Sequence, residues 1–329
     1  KIITDKDTEI TKNKGGMDAH MSKQNEILRT YFTRILNIDD KQQRIGSIIL
    51  RHIFGNDKDP KAINTAKLNI WLECLRLDPN TYKIDSLEGK RHVLPNLELN
   101  LNSGDSLVDL SVNDIEEIMD DEKRGTLESM SNLKNSYTDF FENTNNMHEL
   151  ITIRNSFTSF FVDPLFESKF KKDHGARILQ FITPTYWQIK YFSAFYYSNG
   201  KLKNKDEQGF DVIIGNPPWE ILEPDIDEFF SDLYNQKDLS KFSKLKPKEK
   251  EQVIKTLLEK PKINADWKKY NEEIELQQKY YRELKLYQHQ SAKNSLVPNK
   301  IRPDFYKLFL EKYYFLLKKG GIAGVVLPA

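Results

Sequence analysis

Asn216-Pro217-Pro218-Trp219 is the stretch of this chain best suited to chemistry; it follows directly on the run Asp211-Val212-Ile213-Ile214-Gly215. The Asn216 side-chain oxygen can accept a hydrogen bond from an amino group. Prolines lack an N–H and fix φ, so Pro217 and Pro218 cannot continue a β-ladder. The carbonyls of Asn216 and Pro217 are therefore expected to stay without ladder partners and to act as further acceptors. Two acceptors on one NH₂ draw the nitrogen lone pair out of conjugation and aim it at an electrophile. The flat face of Trp219 suits a stacked base. The plainer alternative is an Asn-Pro turn with a core tryptophan.

A loop of this kind needs a strand to aim it. Asp211–Gly215 is a short apolar run bounded by turn residues, which predicts a buried strand inside a parallel sheet. The loop then lies at the strand's carboxyl end, where open α/β sheets hold ligands. Two further strands are expected upstream. One begins at Ile53-Phe54-Gly55 and ends in Asn56-Asp57-Lys58-Asp59-Pro60. Asp59 then caps a helix over Ala62–Leu75, and Pro60 fits its first turn. In the other, Leu97, Leu99 and Leu101 alternate with Glu98 and Asn100. It ends in Ser103-Gly104-Asp105-Ser106-Leu107.

Asn216-Pro217-Pro218-Trp219 resembles the (Asn/Asp/Ser)-Pro-Pro-(aromatic) motif of S-adenosylmethionine-dependent amino-methyltransferases, in the form typical of DNA adenine-N6 enzymes. With Glu220 behind it and Ile53–Pro60 upstream, the pattern resembles the large methyltransferases of type IIG and related restriction or phage-defence systems. The resemblance implies an α/β fold, a Rossmann-like sheet with large helical insertions, and S-adenosyl-L-methionine as cofactor. It places Asn216, Pro217, Pro218 and Trp219 around a flipped adenine, because a base inside a duplex cannot be reached. It assigns Asp57 to the cofactor's ribose, Lys58 to the neighbourhood of its adenine ring, and Asp105, followed by Ser106, to the adenine amino group. No metal and no covalent nucleophile are implied. The implied partner is double-stranded DNA, and the implied setting is the prokaryotic cytoplasm. A protein-glutamine or RNA-adenine methyltransferase, and a non-catalytic DNA-binding module of a defence complex, are the alternatives.

The family's glycine loop, Asp-Pro-x-x-Gly-x-Gly, and the first sheet strand have no counterpart here, nor does a target-recognition domain. The chain begins at Lys1 and ends on a strand-like run. It is therefore expected to be an excerpt, with the loop upstream and any partner or fused nuclease outside it. On this reading residues 1–329 are a partial catalytic domain, with helical insertions over 109–205 and 223–300.

With 329 residues, 38% hydrophobic and 30% charged, the chain can bury a substantial core as one large domain or two small ones. No apolar run reaches membrane-spanning length. A single cysteine, Cys74, excludes an internal disulfide and a cysteine-built metal site. The net charge of +1 lacks the basic excess of a dedicated non-specific DNA binder. Charge is segregated, however. Asp105–Glu128 holds nine acids against two bases, and Lys241–Lys262 eight lysines against three glutamates. The lysine block is either a solvated helix face or a flank for phosphates. Residues 1–16 are expected to be a loop, and helices are expected over Lys23–Leu36 and Gln42–Ile49. The aromatic-rich stretch from Tyr137 to Tyr197 predicts a helical layer, and Glu167-Ser168-Lys169 faintly echoes a nuclease Glu-x-Lys. Residues 223–295 read as a solvated helical hairpin with aromatic anchors, or as a wall beside DNA. A last helix from Phe305 is expected to end at Gly320-Gly321 in C-cap fashion, before a strand over Ile322–Leu327.

Overall fold

A computed structural model describes residues 41–77, 96–119, 132–133, 135–136, 147–170, 172–197, 201–234, 242, 244–283, 285–289 and 303–327. The loop expected over residues 1–16, the helix expected over Lys23–Leu36 and much of the acidic run lie outside them. The described elements are α1 (Lys41–His52), β1 (Gly55–Asp57), α2 (Pro60–Leu77), β2 (Leu101–Ser103), α3 (Val112–Met119) and α4 (Met147–Phe157). A π-helical turn, Thr158–Val162, leads to α5 (Asp163–Lys169), α6 (Lys172–Phe181), α7 (Trp187–Lys190) and α8 (Phe192–Phe195). Then come β3 (Phe210–Gly215), α9 (Ile226–Tyr234), α10 (Pro247–Leu258), α11 (Pro261–Glu283), α12 (Phe305–Leu316) and β4 (Leu317–Val325). Among the described residues the chain is mixed α/β, mostly helical, with two two-stranded sheets, β1-β2 and β3-β4.

The chain divides into two units: 1–55 with 64–101, and 56–63 with 102–329. In the first, Ile49, Cys74, Leu97, Leu99 and Leu101 are buried. The expected strand over Leu97–Leu101 is mostly a turn: Leu101 N–H returns to the Leu97 carbonyl at 2.9 Å. The reason is Asn100, which is 1% exposed rather than turned to solvent. Its amide donates to the carbonyls of Leu50 (2.9 Å) and Ile53 (2.8 Å) at the end of α1. Helix ends leave such carbonyls unsatisfied, so this side chain closes α1 and the strand starts only at Leu101. Likewise α1 runs on to His52, and β1 begins at Gly55 rather than Ile53.

In the second unit β3 and β4 are parallel, with Val212, Ile213, Ile214 and Gly215 opposite Ile322, Ala323, Gly324 and Val325. Phe210 stands opposite Leu317, so the ladder is irregular between Phe210 and Val212. The extra β4 residues include Gly320, whose φ of +79° suits glycine. This corrects the expected C-cap: α12 stops at Leu316, Leu317 is already extended, and the glycines lie inside the strand. Gly209, at φ +105°, turns the chain into β3 so close to the Leu316 carbonyl that a Cβ would sit 2.2 Å from its oxygen.

The expectation of a fully buried β3 is also corrected. On one face Ile213 and Gly215 are half-buried, and Tyr313 of α12 packs so tightly on Gly215 that a side chain has no room there. The other face is open, with Val212 58% and Ile214 85% exposed. Among the described residues β3 pairs only with β4.

The aromatic stretch does form the core. Phe157, Phe166, Phe170, Tyr186, Tyr191, Phe192, Phe195 and Tyr196 are buried, while Phe160 is not. Trp187, Tyr191 and Phe195 surround the Phe210 ring at 5.9–6.2 Å. Such edge-to-face pairs add to plain burial. Phe229, Phe230, Trp267 and Tyr270 form a second cluster joining α9 to α11. Among the described residues, no helix is long and apolar enough to cross a membrane.

Candidate active site

Asp57 ends β1, and its carbonyl accepts the Gly104 N–H at 2.9 Å. The two acids singled out from sequence thus sit on adjacent chain segments, Asp57 within this hydrogen bond and Asp105 one residue beyond it. Asp57 is exposed and Asp105 half-buried. Each carboxylate has one oxygen engaged locally: Asp57 Oδ1 accepts from Asp59 N–H (2.8 Å) and Asp105 Oδ1 from Leu107 N–H (2.9 Å). Among the described residues no hydrogen bond is made by the second oxygen of either. Asp59 does what its position predicts, accepting the Lys61 N–H at 2.8 Å as the cap of α2. Lys58 is exposed, and its carbonyl accepts from Ser103 Oγ at 3.4 Å.

The residue that sequence reasoning missed is Asn56. Its amide donates to the Gly104 carbonyl and to Ser106 Oγ, both at 2.8 Å, and its oxygen accepts from Thr185 Oγ1 at 3.2 Å. One side chain therefore sets the spacing of the Asp57 and Asp105 turns. Thr185 and Pro184 complete the frame: Asp105 N–H donates to the Thr183 carbonyl (2.8 Å), and Thr185 N–H to the Asp105 and Val108 carbonyls. An asparagine between a glycine and an aspartate carries no distinctive sequence signal. Its position beside the shared Asp57–Gly104 bond becomes visible only when the strands pair.

Asn216 follows β3 directly. Val326 N–H donates to the Gly215 carbonyl at 3.1 Å, the last such bond of the ladder. Beyond it, among the described residues, neither the Asn216 side chain nor the Asn216 and Pro217 carbonyls make a hydrogen bond. Pro217 is buried, whereas Asn216 and Pro218 are exposed. Trp219 is 51% exposed, so it is not a core tryptophan. The chain then re-anchors: Leu222 N–H donates to Pro303 and Phe305 N–H to Glu220, at 2.9 and 3.1 Å. The loop is thus pinned at both ends and open in the middle.

Two ties connect the turn of Asp105 to the strand of Asn216. Trp187 Nε1 donates to the Ser106 carbonyl at 3.0 Å, while the Trp187 ring packs edge-on against Phe210. Helix α12 sends Lys312 to Asp109 and Tyr313 to Gly215. No direct contact joins Asn216 or Trp219 to Asp57 or Asp105; the structure relates them through these intermediaries. The 223–295 segment also contributes. The Tyr280 hydroxyl accepts from Asp109 N–H and donates to its carbonyl, both at 2.9 Å, and Tyr287 donates to the Leu107 carbonyl. Part of the supposed solvated hairpin therefore buttresses the Asp105 turn. Lys169 of the nuclease-like triplet is taken up by Asp114 (2.9 Å) and Glu117 (2.7 Å), an ion-pair cluster on α3.

Residues 51–248 match the profile of the Eco57I restriction-modification methylase family. The chain belongs to that family. The match takes in Asp57, Asp105 and the whole Asn216–Trp219 loop. A protein of Methanocaldococcus jannaschii, whose name makes it a candidate type II restriction enzyme and methyltransferase, is 32% identical over 80 residues. That stretch is 24% of this chain and 6% of the relative. No solved structure matches.

Proposed function

We propose that this family member carries part of the catalytic centre of a DNA methyltransferase acting on the N6 amino group of a flipped adenine. The observation that carries the reading is the free acceptor set at the end of β3. A conjugated amine is a poor nucleophile, and acceptors fixed beside it change that. Asn216 Oδ1 and the Pro217 carbonyl would accept from the two amino hydrogens and leave the lone pair pointing outward. Pro218 holds the loop without needing a donor of its own. Trp219, half exposed, would stack on the extruded base.

The other end of the site suits S-adenosylmethionine, which supplies an electrophilic methyl group when bound. The uncommitted oxygen of Asp57 would accept from ribose hydroxyls, and that of Asp105 from the adenine amino group, with Lys58 and Ser106 beside them. Among the described residues no donor already occupies those two oxygens, so the carboxylates fit such a guest.

The strand pairing supports a Rossmann-like sheet. In the order 3-2-1-4-5, omitting strand 1 leaves one pair 3-2 and one pair 4-5. The described residues form two such pairs, β2-β1 and β4-β3. The substrate would be double-stranded DNA, the setting the prokaryotic cytoplasm, and a nuclease or target-recognition element would belong to the same system. Residues 109–205 and 223–300 would be helical insertions of this catalytic domain.

The test is methyl transfer from labelled S-adenosylmethionine by the full-length protein to duplex DNA, RNA and protein in parallel. Duplex DNA should be labelled, on adenine N6. Asn216→Ala should lower the rate by at least about a hundredfold, the scale on which lost transition-state hydrogen bonds are felt. Cofactor affinity should stay nearly unchanged. Label incorporated at the wild-type rate by that variant would overturn the assignment.

A further inference from the structure

Arg154 of α4 and Lys190 of α7 line one cavity of about 460 Å³ beside β2, and among the described residues neither is ion-paired. Arg154 is only 6% exposed. One guanidinium nitrogen, Nη2, donates to Asn102 Oδ1 at 3.3 Å; the other, Nη1, is buried without a hydrogen-bond partner. Lys190 Nζ donates to the Ser103 carbonyl at 3.0 Å and, among the described residues, to no carboxylate. Its ammonium is pushed down to about 8, first by burial and then by the charge of Arg154, against a weaker pull from Asp109. The acid lining the cavity, Asp163, is held by the Tyr186 hydroxyl at 2.8 Å, and burial raises its carboxyl. Asn155, Thr158 and Ser159 add polar groups to the wall.

A buried guanidinium with an unmet donor, next to the half-buried ammonium of Lys190, is costly. Residues retained at that cost are commonly ligand contacts. What would relieve both is a compact oxyanion with several acceptor oxygens, the group for which arginine's planar fork is matched. The volume falls within the range of small-molecule pockets, roughly 300–1,000 Å³, and exceeds what a lone ion needs. We propose that this cavity binds a phosphate-bearing small molecule, with Arg154 and Lys190 gripping the phosphate. None of Asp57, Asp105, Asn216 or Trp219 lines it, so the inference stands apart from the methylation reading.

Calorimetry of the full chain with inorganic phosphate, glycerol 3-phosphate and glycerol tests it, probes that carry neither the ribose nor the adenine expected at Asp57 and Asp105. Both phosphates should bind and glycerol should not. Tighter binding of the ester would identify a phosphate ester as occupant; equal or tighter binding of inorganic phosphate would overturn the ester in favour of the free oxyanion. Lys190→Met should weaken either by at least about tenfold. Arg154→Met should do the same, with partial recovery in Arg154→Lys. Should loss of the buried arginine unfold the chain, Ser159→Glu places a carboxylate at the exposed rim of the same cavity and should abolish binding. Absence of heat with both phosphates up to about 10 mM, or undiminished affinity in Lys190→Met and Ser159→Glu, would overturn the proposal.

Discussion

Lys312 Nζ lies 2.5 Å from Asp109 Oδ2, and both side chains are almost wholly shielded from water. This pair fastens α12 to the segment that begins at Asp105. The backbone N–H groups of Leu110 and Trp187 also hydrogen-bond the Asp109 carboxylate, and the Tyr280 hydroxyl accepts its backbone N–H. Burial pushes the Asp109 carboxyl up, and Lys312 opposes that.

Removing one partner of such a pair strands the other. Lys312→Met should cost about 3–5 kcal/mol of stability, read from urea denaturation. Asp109→Asn combined with Lys312→Met should recover much of the loss, because no bare charge is left inside. Equal instability of the single and double variants would contradict this account.

Asn56→Ala should weaken the site through its frame. It removes two donated bonds and one accepted bond, and leaves Thr185 Oγ1 and the Gly104 carbonyl short of a partner. A loss of about 1–3 kcal/mol is expected, together with weaker S-adenosylmethionine binding as the Asp57 and Asp105 turns drift. Asn56→Asp, which keeps only the acceptor, should rescue neither. Full cofactor affinity in Asn56→Ala, measured by calorimetry, would argue against a positioning role.

Trp219 offers a different contrast. Being half exposed, it should tolerate Trp219→Ala with little change in thermal midpoint. Affinity for DNA carrying an unpaired adenine should fall by about 1–3 kcal/mol, the worth of base–aromatic stacking. Trp219→Phe should retain most of it. A large drop in stability with unchanged DNA affinity would make the indole a structural residue.

Lys190 gives a pH signature. Its folded-state value, about 8, lies below the roughly 10.4 of an unfolded lysine. Between these values the unfolded chain binds more protons, so this group's contribution to stability rises with pH. The penalty is full below about pH 8 and gone above the unfolded value. Relative to Lys190→Met, the wild type should therefore gain stability as pH rises from about 8 to about 10. A urea-midpoint difference that stays flat over that window would show an unburdened lysine.

Much of the candidate site was legible along the chain because its signals are local. Asp59 caps α2 next to Pro60, as capping chemistry requires. Asn216 escapes the ladder because two prolines follow it. The strand-loop order Asp57, Asp105, Asn216 needed only short patterns. Where expectations failed, a distant partner intervened. Asn100 looked like the outward position of an alternating strand, but the carbonyls of α1 claimed it. Gly320-Gly321 looked like a helix cap, but pairing with Phe210–Gly215 drew Leu317 into the strand first.

What the sequence determined by itself is the chemistry on offer: an amide and an indole beyond a strand, and two acids at turns. Those properties follow from covalent structure and near neighbours. Tertiary structure alone decided that Asn56 spans two turns, that Tyr280 and Lys312 secure Asp109 across 171 and 203 residues, and that Arg154 and Lys190 face one cavity. Contacts at such separations leave no periodic trace, because they depend on how whole elements pack and not on the spacing of residues within them.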